Sequence, residues 1–287
     1  MVPDWRRRKV LIWGKTRPEL SKKYREVVCT GGVFEDTRKL VRLYPIPLRY
    51  MDSEKVFKKY QWIEAYITKA TSDPRPESYR IRSDHIATLD TIPTNKGYWT
   101  ERASWIIHKG NIFNSVEELQ DQQKKHFTSL GLVKPSQVIK VTATRFSNQE
   151  RNGFWKRYKE ALSQMELPLD PETGREIKPI SPPVFRFKVQ FRCNDVRCNT
   201  DHNFSVLDWE IDALYFNLTR KGISPHIAAH KIIDKIENQV CADDRDLYFF
   251  LGNISSHPHI FTIVGFWWPK KQRKTDILKQ PELFPHL

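Results

Sequence analysis

The amino-acid sequence predicts an α+β protein with a β-rich N-terminal lobe and an α/β C-terminal lobe that carries a cysteine and histidine knuckle. Short apolar runs separated by polar turns fill the N-terminal third, whereas the helix-start signals lie at Ser115 and beyond. Residues 185–192 alternate between apolar and mostly basic side chains, as a strand with one buried face does. We expect a β-rich lobe over 1–110, a helical segment and proline-rich connection over 111–180, and the C-terminal lobe over 181–287.

The composition indicates a basic, soluble protein. Lys and Arg number 48 against 34 Asp and Glu, which gives a net charge of +14 and a pI near 9.6. This excess predicts a polyanionic partner, and we favour nucleic acid over an anionic membrane surface. No apolar run approaches the roughly 18 residues of a membrane span, and residues 1–4 do not open a signal peptide. We therefore expect a cytoplasmic protein without a membrane partner.

Two classes of protein are excluded by motif and residue usage. Four cysteines in 287 residues are too few for a disulfide scaffold. Eleven glycines, with neither a P-loop nor a G-x-G-x-x-G motif, argue against a classical nucleotide-cofactor domain.

The N-terminal lobe begins with four strand-like segments. Lys9–Gly14 is an apolar run that predicts an early buried strand. Val27–Val33 and Leu40–Ile46 are separated by a polar turn, which predicts a hairpin, and Gln61–Thr68 continues as a further strand.

Cationic and aromatic side chains surround this hairpin, as a surface that grips phosphates requires. An ordinary basic surface is the alternative interpretation. The predicted DNA-binding residues are Arg42, Tyr44, Arg49, Lys58, Lys59 and Arg75.

The segment Ser72–Tyr79 contains two prolines, which remove backbone donors and restrict their neighbours, so we expect a stiff loop. Asp73 and Glu77 lie on it with Arg75 between them, and a nearby cation keeps carboxylates ionised. We consider these two carboxylates as catalytic candidates. An internal salt bridge that only pins the loop explains them equally well.

Capping signals from Ser115 onward predict three helices besides the one that follows the knuckle. Ser115 opens a helix to about His126, Ser147 with Glu150 opens the next, and Ser224 before Pro225 opens a helix to about Val240. Pro168–Pro183 is rich in proline and turn residues, and we expect it to connect the two lobes. Two strands are predicted near the end of the chain, at Leu247–Leu251 and Ile260–Trp268.

The knuckle follows the strand of residues 185–192. Cys193, Cys198 and His202 have the spacing C-x4-C-x3-H, and thiolates with an imidazole suit a structural zinc. A closed site needs a fourth ligand, for which we expect Cys241 or a C-terminal histidine. The alternative is two reduced cysteines and a histidine in a polar loop.

A capping box is suggested by Ser205 with Asp208, and it predicts a helix that has Asp208 and Glu210 in its first turn. The helix dipole favours carboxylates there, which is the structural explanation for both residues.

The runs FFLGN (249–253) and SSHP (255–258) place an asparagine after an apolar strand and a histidine before a proline. This arrangement is similar in outline to that of uracil-DNA glycosylases, which have an asparagine after an apolar strand and a histidine in a His-Pro loop. Asn253 and His257 are therefore candidates for reading and polarising a flipped base, although turn formation is the alternative. The Gly-Gln-Asp-Pro motif that positions water in those enzymes is absent.

Several short runs are spread over most of the chain: CTGG (29–32), RLYPIP (42–47), FKKYQWI (57–63), DPRPESY (73–79), SLGLVKP (129–135), the cysteine knuckle with DWE (208–210), and the final GN and HP pairs. By these runs the chain resembles a family of uncharacterised bacterial proteins that accompany anti-phage defence genes. The resemblance implies a DNA glycosylase that removes modified cytosines from phage DNA, with double-stranded DNA as the partner.

Three functional hypotheses follow from the sequence. The first is a DNA glycosylase, because base flipping requires a basic groove and a pocket with amide, imidazole and carboxylate groups. The second is a non-catalytic reader of modified nucleic acid with a structural zinc knuckle. The third is a metal-dependent nuclease, although no convincing carboxylate and lysine motif is present. A zinc deaminase is disfavoured because H-x-E and P-C-x-x-C do not occur.

Overall fold

A computed structural model describes residues 3–21, 23–164, 169, 174, 176–181, 183–198 and 200–272. The predicted α+β class is confirmed. The strands are β1 (Arg6–Lys15), β2 (Glu19–Ser21), β3 (Arg25–Phe34), β4 (Leu40–Ile46), β5 (Gln61–Lys69), β6 (Ser78–Ile81), β7 (Ala87–Thr91), β8 (Ile112–Phe113), β9 (Leu130–Val133), β10 (Pro135–Arg145), β11 (Phe185–Cys193), β12 (His202–Ser205), β13 (Tyr248–Ile254) and β14 (His257–Trp267). The helices are α1 (Thr100–Ile106), α2 (Val116–His126), α3 (Asn148–Ser163), α4 (Trp209–Arg220) and α5 (Pro225–Lys235), which continues into a π-helical turn at Ile236–Val240.

The N-terminal lobe is a barrel built from one seven-stranded sheet. Its strand order is β1-β3-β4-β6-β5-β7, β2 pairs with β3, and β1 also pairs with β5, which closes the sheet. Strands β3 and β4 pair antiparallel, as the predicted hairpin requires. Val10, Ile12, Leu43 and Ile63 fill the interior with no exposed surface.

The C-terminal lobe contains a four-stranded sheet, β14-β13-β9-β8, and a three-stranded sheet, β10-β11-β12. The alternation of β11 is confirmed, because Phe185, Phe187, Val189 and Phe191 are buried while the residues between them face outward. The same core cluster includes apolar side chains of α4 and α5, such as Tyr215 and Ile232.

The two lobes share an aromatic core. Trp13 of the N-terminal lobe stacks on Phe250 of the C-terminal lobe at 4.0 Å and an interplanar angle of 1°. The indole Nε1 of Trp13 donates to the backbone oxygen of Gly32. Gly31 lies beneath the ring, where an added Cβ would come within 2.2 Å of the indole. The indole thus occupies the space of a missing side chain, and the lobes pack as one body.

Helix α4 begins later than the predicted capping box. Ser205 ends β12, and Asp208 is the N-cap, because its side chain accepts from the backbone N–H of Glu210 at 2.9 Å. The backbone N–H of Val206 bonds to Phe187 and that of Leu207 to Ile263, so the segment stays extended. Sheet pairing therefore overrides the local helix signal.

Other predicted boundaries lie close to the observed ones. Ser147 and Glu150 form the predicted capping box of α3, and Ser224 caps α5. The last two predicted strands form one hairpin that turns at Ser255–Ser256. Much of the predicted connection at Pro168–Pro183 lies outside the described residues. Within the described part of the chain, no helix is both long enough and apolar enough to cross a membrane.

Candidate metal centre and basic sheet face

Four potential ligands converge at the knuckle. One ligand atom from each of Glu117, Cys193, Cys198 and His202 lies within 4.8 Å of every other. Cys193 ends β11, Cys198 follows in the turn, His202 begins β12, and Glu117 lies in the first turn of α2. The antiparallel pairing of β11 with β12 brings His202 opposite Phe191 and so returns the histidine to the cysteines.

The contacts within this metal cluster are close. The Nε2 atom of His202 lies 3.3 Å from Sγ of Cys198 and 3.3 Å from Oε1 of Glu117. The backbone N–H of Cys193 donates to Sγ of Cys198. The other carboxylate oxygen of Glu117 is buried and has no hydrogen-bond partner among the described residues. A buried, unpaired carboxylate oxygen fits a cation, because burial of such an atom without a partner is costly.

Burial shapes the protonation of the ligands. It raises the pKa of the Cys193 thiol to about 12, and the neighbouring Cys198 and Glu117 act in the same direction. Burial lowers the pKa of His202, although Glu117 and Asp201 oppose the change, and this direction favours the neutral ring that a metal ligand requires.

The fourth member of the cluster is Glu117, and the prediction of Cys241 is wrong. Cys241 lies after the π-helical turn and does not join the four clustered residues. His286, the last histidine of the chain, lies outside the described residues. Ser115 caps α2 by accepting from the backbone N–H of Glu118, and Glu117 lies in the first turn of this helix with its side chain at the knuckle.

One face of the three-stranded sheet is polar and basic. Arg186, Lys188, Gln190 and Arg192 of β11 point away from the core. Residues directly opposite one another share a face in an antiparallel sheet. This basic sheet face therefore also contains Gln137, Lys140, Thr142 and Thr144 of β10 and Asn203 and Ser205 of β12.

The cations of the basic sheet face differ in their partners. Arg186 bonds to Glu150, and Arg192 bonds to Asp201. Lys140 and Lys188 form no ion pair with another described residue. Helix α3 begins beside Arg186 and carries the exposed Trp155, which is 39% accessible. Two lysines and an exposed aromatic ring are thus available to a ligand.

The predicted catalytic loops meet at the junction of the lobes. Arg75 Nη1 donates to the backbone oxygen of Asn253 at 3.0 Å, and Arg42 Nη1 donates to the same oxygen at 2.7 Å. Glu77 accepts from the backbone N–H and the hydroxyl of Ser129, whose backbone oxygen accepts from the N–H of Asn253. The sequence candidates therefore lie together, as a single site across the lobes requires.

The same candidates are engaged by protein groups. Burial alone would raise the pKa of Asp73, but the hydrogen bonds and the charge of Arg75 lower it to about 2. The side-chain amide of Asn253 donates to the backbone oxygen of Pro258 and closes the hairpin turn. His257 is exposed, and its Nδ1 contacts the hydroxyl of Ser256. The contacts of Asp73, Glu77 and Asn253 are those of a structural junction.

The predicted DNA-binding residues lie in different environments. Arg42 and Arg75 are buried in the lobe junction. Arg49 pairs with Glu26, and Lys59 pairs with Glu210. Tyr44 and Lys58 are exposed. Only Tyr44 and Lys58 of this set present accessible side chains without such an ion pair, and DNA contact at the set stays a prediction.

A buried charge cluster joins α4 to the barrel, and the sequence did not reveal it. Lys59 Nζ lies 2.9 Å from Glu210 and 4.0 Å from Asp208. Burial raises the pKa of Asp208 to about 6, although Lys59 opposes the rise. Burial lowers the pKa of the neighbouring Lys15 to about 8. The signal in the sequence was the pair of carboxylates around Trp209, which helix capping alone explained.

The comparisons with known proteins identify families without a described function. Residues 112–287 match the family described as Domain of unknown function (DUF8757), and the chain belongs to that family. Residues 6–108 match a second one, Domain of unknown function (DUF8758). No curated protein matches the chain. The likeness to anti-phage proteins and the three-part division of the chain stay predictions.

A solved structure titled "Structure and Conformational Change of a Replication Protein A Heterotrimer Bound to ssDNA" is similar to this chain at 10% sequence identity and a TM-score of 0.21. The similarity covers 97% of this chain and 68% of that chain.

Proposed function

We propose that the protein binds nucleic acid through the basic sheet face. The observation that carries the proposal is the pair Lys140 and Lys188, which lie on one exposed polar face without an ion-pair partner among the described residues. Phosphate contacts from such lysines supply most of the affinity of proteins that bind nucleic acid without sequence preference. The net charge of +14 supports the same class of partner.

The form of the face favours an extended strand. Its residues are short hydroxyl and amide side chains interleaved with cations, so a backbone can lie flat across the three strands. Exposed aromatic rings stack on unpaired bases, and Trp155 lies on the helix that follows β10. We therefore place single-stranded nucleic acid ahead of duplex as the ligand of this face.

We propose zinc as the metal of the cluster. Bond lengths of about 2.3 Å to sulfur and 2.1 Å to nitrogen or oxygen, at tetrahedral angles, place a nitrogen about 3.4 Å from an oxygen ligand and about 3.6 Å from a sulfur ligand. The contacts from His202 to Cys198 and to Glu117 are both 3.3 Å. Zinc would tie α2 to the end of the central strand β11 and so stiffen that end of the basic sheet face. Four protein ligands leave no open position for water, which argues against this cluster as the catalytic metal site of a nuclease.

Excision of a modified base from double-stranded phage DNA is the more specific hypothesis. The meeting of the Asp73 loop with the turn at Asn253 supports it, because the hypothesis requires both in one site. Catalysis would require Asp73 to leave its paired arginine and Asn253 to leave Pro258. We therefore rest the proposed function on binding alone.

The experiment is a titration of fluorescein-labelled 20-nucleotide DNA with the purified protein, single-stranded and as duplex, at several salt concentrations. We expect tighter binding of the single strand, with a slope of about −0.7 per phosphate contacted on a plot of log K against log salt. No binding at low salt, or binding that salt does not weaken, would overturn the proposal.

Incubation of the same protein with modified duplexes tests the more specific hypothesis. Abasic sites in the product would support excision. Retention of the duplex without abasic sites would leave the reader hypothesis.

A further inference from the structure

An open groove lies at the end of the basic sheet face next to the metal cluster. It has a volume of about 870 Å³ and runs between the end of β8, the start of β10 and the segment that leads into β13. Pockets that hold small ligands have volumes of roughly 300 to 1,000 Å³. The lining residues that matter below are Phe113, Asn114, Lys134, Gln137, Asn194 and Tyr248.

Three amide side chains line this groove. Asn114, Gln137 and Asn194 are exposed, and their amide groups form no hydrogen bond with another described residue. They come from three separate segments: the end of β8, the start of β10 and the knuckle. An amide side chain carries a donor and an acceptor together, which is the combination that base edges present.

Aromatic and cationic groups complete the groove. Phe113 and Tyr248 are half-buried, which leaves part of each ring accessible. Lys134 lies 5.0 Å from the centre of the Tyr248 ring and pairs with Asp246 at 2.6 Å. Base stacking on such rings is strong and tolerant of sequence. A nucleobase therefore matches the chemistry of the groove better than a purely apolar or purely anionic ligand.

The groove is continuous with the basic sheet face. Gln137 lies directly opposite Arg192 of that face, and Asn194 follows the metal-cluster residue Cys193. A strand that lies along Lys188 and Lys140 would reach the groove at Gln137.

We infer that the groove is a nucleobase subsite, in which an unpaired base of the strand bound to the basic sheet face stacks against the aromatic rings and bonds to the amides of Asn114, Gln137 and Asn194. The inference rests on the proposed function. A base inside a duplex cannot enter such a groove, so the ligand is a single strand or an extruded base.

The test compares two oligonucleotides with the same backbone. One is a single-stranded DNA 12-mer of thymidines, and the other has abasic residues at its central positions. Binding of the abasic oligomer reports the basic sheet face, whereas the difference between the two reports the groove.

The variant N114A/N194A removes two amides of the groove that lie outside the basic sheet face, and it removes no charge. We expect it to bind the thymidine oligomer about tenfold more weakly than the unaltered protein, which is the order of one base contact, and to bind the abasic oligomer unchanged. N194A provides a second variant if the double variant fails to fold. The matched control is N217A, which removes an exposed amide of α4 outside both the groove and the basic sheet face and should change neither affinity.

Three results would overturn the inference. Equal affinity of the unaltered protein for both oligomers would leave the basic sheet face as the binding site and would show that no base binds in the groove. Absence of binding to both would remove the proposed function together with the subsite. Binding of thymidine monophosphate as tight as that of the oligomer would assign the groove to a free nucleotide.

Discussion

Arg75 and Asn253 are joined by a hydrogen bond of 3.0 Å from the guanidinium to the backbone oxygen, across the junction of the two lobes. Asp73 holds the same guanidinium through a salt bridge of 2.6 Å. The barrel loop that carries Asp73 and the hairpin formed by β13 and β14 are thus one structural unit. Changes in that unit should affect the stability of the fold.

We expect Asp73→Asn to lower the free energy of unfolding by about 1 to 3 kcal/mol. Loss of one partner from a fully buried pair costs about 3 to 5 kcal/mol, and the Asp73 side chain is 18% exposed, so the cost is smaller here. Urea denaturation measures it. Asp36→Asn is the control, because Asp36 pairs with Arg8 at the surface and such pairs contribute about 0 to 1 kcal/mol. Equal stability of Asp73→Asn and the unaltered protein would show that the salt bridge between Asp73 and Arg75 does not stabilise the fold.

The buried Asp208 gives the fold a dependence on pH. Burial raises its pKa to about 6, from 3.8 in an unfolded chain, so the folded state binds the proton more tightly. The corresponding stability is fully present below pH 3.8 and is lost as the pH rises through about 6. Asp208→Asn keeps a good N-cap and should remove this dependence. Denaturation midpoints of both proteins, measured from pH 4 to pH 7, test this prediction. If the midpoint of the variant depends on pH as that of the unaltered protein does, Asp208 is not the source of the dependence.

The metal cluster predicts that the protein purified without chelator carries about one zinc per chain, a typical content for a structural site. Cys198→Ser should abolish binding, and Glu117→Gln should weaken it, because each removes one ligand atom of the cluster. Cys241→Ser is the control and should leave the metal content unchanged. Metal analysis of the four proteins checks these outcomes. A content below about a tenth of an equivalent in the unaltered protein would contradict the site, because structural zinc sites bind tightly.

Chelation should also lower the thermal stability of the unaltered protein, since a ligand that binds the folded state stabilises it. The Cys198→Ser protein should show no such response. If chelation does not change the melting temperature of the unaltered protein, a metal at the cluster does not stabilise the fold.

The parts of the fold that depend on local patterns were predictable from the sequence. The alternation of Phe187 and Val189 with basic residues fixes which face of β11 is buried. Ser147 with Glu150 forms the predicted capping box because both partners lie within one turn. At Ser205 the same kind of local signal failed, since pairing of the following residues with neighbouring strands kept the chain extended.

The candidate site depends on contacts between distant segments, which local patterns do not contain. Three ligands of the metal cluster lie within one stretch of sequence, but Glu117 reaches it from a helix that tertiary packing places there. The sequence predicted that Arg42 is available to DNA, yet its side chain is buried against Asn253. The sequence around a cation in a strand does not show whether another lobe will cover that cation. The groove amides come from three segments and share no motif.

The measurement that tests the account most directly is the salt-dependent affinity of K140A/K188A for a single-stranded DNA 20-mer, compared with that of the unaltered protein and of K39A/K58A. Lys39 and Lys58 are exposed lysines of the N-terminal lobe, so both variants lose the same charge. We expect the salt slope of K140A/K188A to be smaller by about 0.7 for each lysine removed, with weaker binding at every salt concentration. The K39A/K58A protein should bind nearly as the unaltered protein does. Equal losses in the two variants, or a loss only in K39A/K58A, would contradict binding through the basic sheet face.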